Sequence, residues 1–209
     1  MNWNILLFVV FPYVALTLAI GGTIYRRLYR PFTVSSLSSQ LLENRKLFWG
    51  SVPFHWGITI ILLFHLLALL VPAGFEAWNR EPVRLLALEG TGLALAIWSL
   101  AGLGVLLYRR VTDDKIRAVT SSLDLVVLAI LAGQVVTGIW IAVGYRYGSH
   151  WAPAVVVPYV RSLLALQPRP ELVLPLPHVV QLHACCSSCF WPCFRSRGWY
   201  TSSRCRYPT

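Results

Sequence analysis

The sequence predicts an all-α membrane protein, a bundle of four complete transmembrane helices plus a fifth that is truncated or altered. Three observations lead there. Of the 209 residues 56% are hydrophobic and only 12% charged, with a mean hydropathy of +0.61, far from the balance of a soluble globular domain. Four apolar runs contain no Lys, Arg, Asp or Glu and reach the roughly 20 residues that a spanning helix needs. Basic residues cluster in alternate connections between these runs, as they do beside membranes.

The runs extend approximately from Ile5 to Tyr25, Pro53 to Pro72, Gly90 to Tyr108 and Leu125 to Val143. The first is expected to stay as a helix rather than be cleaved, because no basic region precedes it and its apolar stretch is too long for a signal peptide. A fifth run starts near Leu172 and stops at Ala184, too short to cross a bilayer at about 1.5 Å rise per residue. With short connections and no internal repeat, residues 1–184 read as one membrane domain, and residues 185–209 as an atypical Cys- and Arg-rich tail.

The formal charge of +10 is explained by juxtamembrane placement and does not point to nucleic acid. The connections after the first and third runs hold nine basic residues: Arg26, Arg27, Arg30, Arg45, Lys46, Arg109, Arg110, Lys115 and Arg117. The other two hold five, Arg80, Arg84, Arg146, Arg161 and Arg169, spread over more chain. The positive-inside rule then puts the N-terminus outside, so the second run climbs outward and the fifth descends inward.

Ionisable side chains in hydrocarbon are costly and usually face a bundle interior, a water-filled cavity or a ligand. His55 and His65 lie in the second run, and ten residues of helix separate them by about 15 Å, one in each half of the bilayer. Neutral imidazole is a good axial ligand for haem iron, and facing helices can clamp the flat macrocycle. His178 and His183 open the fifth run at the outer side, level with His65, so His65 pairs with His183. His178, five residues away, points elsewhere and is a candidate proton acceptor at a quinol site; His150 falls in a loop. The alternative is that these imidazoles bond across helices or line a channel.

The stretch Pro53-Phe54-His55-Trp56-Gly57 through Phe64-His65, then Phe75-Glu76-Ala77-Trp78, then Arg109-Arg110 with Arg117-Ala118, resembles the gamma subunit of respiratory nitrate reductase. So do Ser38-Ser39-Gln40 and Gln181-Leu182-His183, and the similarity covers the chain to about Ala184. The resemblance implies a five-helix dihaem cytochrome b in the cell inner membrane, anchoring a molybdenum alpha subunit and an iron-sulfur beta subunit on the cytoplasmic side. It implies quinol oxidation near the outer face and electron flow through a distal haem on His65 and His183. A proximal haem on His55 and one more histidine would follow, delivering electrons for nitrate respiration. Arg84 falls where the family tends to place a basic residue near the quinol site, although an interfacial anchor is an equal reading. Arg109, Arg110 and Arg117 suit haem propionates or a partner subunit, but positive-inside topology already accounts for them. Two further readings stay open: a cytochrome b serving another quinol-linked reductase, and a haem-free anchor or transporter.

The family pattern requires a further histidine on the cytoplasmic half of the last helix, and none follows His183. All five cysteines, Cys185, Cys186, Cys189, Cys193 and Cys205, occupy the tail instead. Back-translation one base earlier turns the Cys185 to Cys186 and Phe190 to Trp191 junctions into leucine, Trp191 to Pro192 into alanine and Trp199 to Tyr200 into valine. With allowed choices elsewhere an apolar half-helix emerges, ending in a histidine across Tyr200 and Thr201. It lies about 18 residues from His183, roughly 27 Å of helix. We therefore expect a frameshift after about Ala184 and no second ligand opposite His55. The rival, a tail that binds zinc or a cluster, lacks paired C-x-x-C motifs.

Overall fold

The computed structural model describes residues 3–29, 44–120 and 122–187, and all regular structure among them is helical. Helix α1 spans Trp3–Tyr29, with a π-helical turn at Leu6–Val10. The others are α2 Asn44–Leu70, α3 Pro72–Asn79, α4 Pro82–Thr112, α5 Asp114–Val119, α6 Ser122–Gly144, α7 Gly148–Leu164, and α8 over residues 178–187. Four segments, Trp3–Tyr29, Phe48–Leu70, Pro82–Thr112 and Asp124–Gly144, are long and apolar enough to cross a membrane. Leu62, Leu63, Leu66 and Leu67 on α2 and Val126 and Trp140 on α6 point outward, an arrangement costly in water and natural against lipid.

The helices are longer than the uncharged runs, and this relocates several residues. At 31 residues α4 is about 46 Å long against a hydrocarbon core of about 30 Å, so both ends project. Arg84, expected in a connection, lies in the first turn of α4, and Arg109 and Arg110 lie in its last. Proline punctuates the boundaries: α2 stops at Leu70 because Pro72 has no N–H to continue it, and Pro72 and Pro82 each open the next helix.

The connection after the fourth span is built around α7. His150 therefore sits, exposed, in the first turn of a helix and not in a loop. The fifth apolar run is not helical from Leu172. A 3₁₀ turn at Pro170–Leu172 and a further turn precede Pro177, and α8 begins only at His178, because Pro175 and Pro177 withhold the donors an earlier start needs. Nor does the helix break at Ala184, since it continues through Cys185, Cys186 and Ser187.

The centre of the bundle is a close seam between α2 and α4. Gly102 packs so tightly that a Cβ there would lie 2.6 Å from the Gly50 carbonyl oxygen and 2.7 Å from the Phe54 nitrogen. Gly57 faces Ser99 and the Leu95 carbonyl in the same way. Small residues let helix backbones approach where lipid provides no hydrophobic drive. Ser99, fully buried, donates its hydroxyl to the Phe54 carbonyl at 3.3 Å. Phe54, Leu103 and Leu128 then join α2, α4 and α6 in one apolar core.

Helix α7 braces the bundle at the end where α2 finishes and α4 starts. Its first turn is held by Glu89, whose Oε1 accepts the Ser149 N–H at 2.7 Å, and by Asn79, whose Nδ2 donates to the Ser149 carbonyl at 2.8 Å. Toward its other end Tyr159 donates to the Phe8 carbonyl at 2.8 Å, and Tyr13 donates to the Leu163 carbonyl at 3.0 Å. Burial pushes the Tyr159 hydroxyl up to about 12, which keeps this donor protonated.

Candidate functional site

His55 and His65 are oriented by the helix that carries them. The His65 Nδ1 lies 2.8 Å from the Ile61 carbonyl oxygen, and the His55 Nδ1 lies 2.7 Å from the Ser51 carbonyl oxygen, with the Ser51 hydroxyl at 3.1 Å. A carbonyl only accepts, so Nδ1 is the donor in both rings, and in the neutral imidazole this leaves the Nε2 lone pair for a ligand. A metal-ligating histidine is typically prepared in this way, its second nitrogen donating to a carbonyl that fixes ring and tautomer. Both rings stand on exposed positions of α2, and Phe54 meets His55 edge-on with centroids 5.0 Å apart.

His183 reaches the same tautomer through different neighbours. The Thr137 hydroxyl donates to the backbone of α6, at 2.8 Å to Gly133 and 3.0 Å to Gln134. Its oxygen is therefore free to accept from His183 Nδ1 at 2.9 Å. On the far side of the ring the Gln134 Nε2 amide, which can only donate, lies 3.3 Å from His183 Nε2. Gly138 makes room for the ring: a Cβ there would lie 3.2 Å from His183 Cε1. The two imidazoles His65 and His183 are near enough to interact electrostatically.

These residues fit an axially ligated porphyrin. Three imidazoles hold a lone pair on Nε2, one contact opposing it is long and made by a flexible glutamine, and Gln134 Oε1 is buried without a hydrogen-bond partner in the described structure. A porphyrin brings four nitrogens of its own, so two imidazoles complete the iron. No group of three or more His, Cys, Asp or Glu suited to a metal ion occurs among the described residues.

Thr137 was not singled out by the sequence, yet it fixes the His183 ring. Thr137→Val keeps the shape and removes the acceptor; for a haem held by His183 the expected result is retention weakened roughly 10- to 100-fold, the usual effect of losing a ligand's hydrogen-bond partner. Titration of the purified variant with haemin checks this.

The remaining expected site residues are dispersed. The Arg84 guanidinium stacks over Trp78 at 4.9 Å from the ring centroid, and His178 is exposed at the start of α8. A cavity of about 460 Å³ opens between Arg80, Leu85, Leu86, Tyr147 and His150, and Arg84 is not among the residues that line it. At the opposite end Arg110 pairs with Asp124 at 3.3 Å and Arg117 with Asp114 at 2.8 Å. Cys185 and Cys186 are free thiols on α8. Ser38-Ser39-Gln40, Cys189, Cys193, Cys205 and the concealed histidine lie outside the described residues.

Fold and site together define a multi-pass helical membrane protein with preoriented imidazoles on its second span and on α8. Residues 4–194 match the family model of the nitrate reductase gamma subunit, so the likeness runs ten residues past Ala184. The chain belongs to that family. It is 31% identical to the nitrate reductase gamma chain of Bacillus subtilis (strain 168) over 183 residues, 83% of this chain and 79% of that one. It is 32% identical to the respiratory nitrate reductase 2 gamma chain of Escherichia coli (strain K12) over 138 residues, 65% of this chain and 61% of that one. The nitrate reductase-like protein NarX of Mycobacterium tuberculosis (strain ATCC 25618 / H37Rv) is 30% identical over 189 residues, 85% of this chain but 28% of that longer protein.

Proposed function

We propose that this chain is the quinol-oxidising cytochrome b subunit of a membrane-bound nitrate reductase, with His65 and His183 as the axial ligands of a b haem. The observation that carries the reading is that Nδ1 of each ring lies within hydrogen-bond distance of an oxygen, 2.8 Å for His65 and 2.9 Å for His183, an arrangement that suits Nδ1–H and a metal-facing Nε2. When bound, the haem supplies a one-electron carrier inside the bilayer. The chain's own contribution is to hold two rings at one depth and to keep Nε2 unprotonated. Thr137 takes the His183 proton, and the Ile61 carbonyl takes that of His65.

The distribution of basic residues supports an orientation in the cell inner membrane with the N-terminus outside and α2's His65 end toward the outer face. Quinol binds at that face, with Arg84 and His178 as the candidate partners for its oxygen and its proton. Electrons leave on the opposite side to an iron-sulfur beta subunit and a molybdenum alpha subunit. His55 is prepared like His65, but the chain's other histidines, His150 and His178, belong to the outer end. A frameshift in the tail explains why the proximal haem lacks its second imidazole.

The test is a spectrum of membranes containing the chain, taken before and after addition of a soluble quinol analogue. The expected result is an α band that grows with quinol and is lost in His65→Ala. A reduced-minus-oxidised spectrum with no α band overturns the reading.

A further inference from the structure

Arg161, in the last turn of α7, makes contacts that a plain interfacial anchor does not need. Its Nη2 donates to the Leu69 carbonyl at 2.7 Å and to the Leu70 carbonyl at 3.2 Å, and its Nε donates to Leu69 at 3.1 Å. Leu69 and Leu70 are the last two residues of α2, where helix carbonyls lose their partners and the chain turns through Val71 into Pro72. The guanidinium therefore caps the helix that carries His65, at carbonyls that begin four residues, or about 6 Å of helix rise, beyond that residue.

The residue after Arg161 begins the path to His183. The Ser162 hydroxyl accepts the Arg169 N–H at 3.1 Å and its carbonyl accepts the Gln167 N–H at 2.9 Å, which shapes the turn leaving α7. Beyond the turn Val173 is fully buried against Phe8 and Tyr159. Gln181 then ties α8 to this loop, its Nε2 donating to Leu174 at 2.9 Å and Leu176 at 2.8 Å, two residues before His183. One continuous set of bonds thus runs from the end of α2, through Arg161 and Ser162, to the start of α8.

Resting on the haem reading above, we infer that Arg161 is a positioning residue, setting the depth of His65 relative to His183 by clamping the end of α2 to the segment that leads into α8. Its hydrogen bonds run to the backbone, through the Leu69 and Leu70 carbonyls. Lysine serves as well as arginine for an interfacial charge but has a single nitrogen, whereas arginine grips the Leu69 carbonyl from both Nε and Nη2 in a fixed plane, so the two roles separate experimentally.

The experiment compares wild type, Arg161→Ala, Arg161→Lys and Tyr159→Phe by EPR of the oxidised low-spin signal and by haem retention on dilution. Tyr159→Phe loosens α7 from α1 without touching α2. Arg161→Ala is expected to shift the low-spin g values and to weaken haem retention roughly tenfold. Arg161→Lys is expected to restore the membrane level but only part of the spectrum, and Tyr159→Phe to leave the spectrum unchanged. If Arg161→Ala does not accumulate, Arg161→Lys carries the comparison. Wild-type spectra in both arginine variants, a wild-type spectrum in the lysine variant alone, or an equal shift in Tyr159→Phe, overturn the inference while leaving the haem reading standing. A wild-type protein without a low-spin signal overturns both.

Discussion

Replacement of His183 by alanine is expected to abolish the low-spin haem signal and to reduce quinol-driven electron transfer by more than 100-fold. The argument begins with the ring's neighbours. Thr137 and Gly138 on α6 shape a place for one imidazole, and Gln134 closes its other side. Without the ring, a haem on His65 has no opposing nitrogen, because His55 is about 15 Å away along α2. Losing a hydrogen-bond partner of a ligand costs about 10- to 100-fold in affinity or activity, and losing the ligand exceeds that. His150→Ala, which removes an exposed imidazole on α7, is expected to leave haem content unchanged. Pyridine haemochrome assays of the purified variants distinguish the two.

Replacement of Gly102 by alanine is expected to have the largest effect on assembly. A methyl group at that position meets the Gly50 carbonyl oxygen and the Phe54 nitrogen at 2.6 and 2.7 Å, and both belong to the α2 backbone. No side-chain rotation relieves the clash, so α2 and α4 must separate and the Ser99 bond to Phe54 stretches. The cost belongs at the upper end of overpacking, about 3 kcal/mol. At 1.4 kcal/mol per decade that is roughly a hundredfold in folded population. His55, the neighbour of Phe54, moves with the backbone. Gly104, two residues on, has no atom within 4 Å of the same hypothetical methyl. Gly104→Ala is thus expected to stay within about 1 kcal/mol of wild type. Protein levels in membranes and detergent-dependent thermal unfolding measure both.

The four spans were legible because lipid imposes one requirement on every residue of a run, and the absence of charge from Pro53 to Pro72 or Leu125 to Val143 meets it. Their ends were less so: Arg84 and Glu89 continue α4 beyond the hydrocarbon, where charge no longer limits a helix. Helix α7 was missed because it does not span. It contains Arg161, Pro153 and Pro158, and its bonds run to Phe8, Leu69 and Glu89, far away in sequence. His65 and His183 stood out as ionisable groups in apolar runs, whereas Thr137 and Gln134 did not. Their signal was faint: Gln134 and Thr137 are the amide and the hydroxyl in the fourth run, three residues apart on one helical face. The Gly102 seam could not be read, since the clash at one glycine and the open space at Gly104 depend on where α2 passes.

The most direct test is a count of haem iron in the purified chain by pyridine haemochrome, with EPR to report its ligation. One low-spin bis-histidine b haem per chain is the expected result, with His65 and His183 as its ligands. Isolated protein with these two rings intact and no porphyrin iron would contradict the account at its centre.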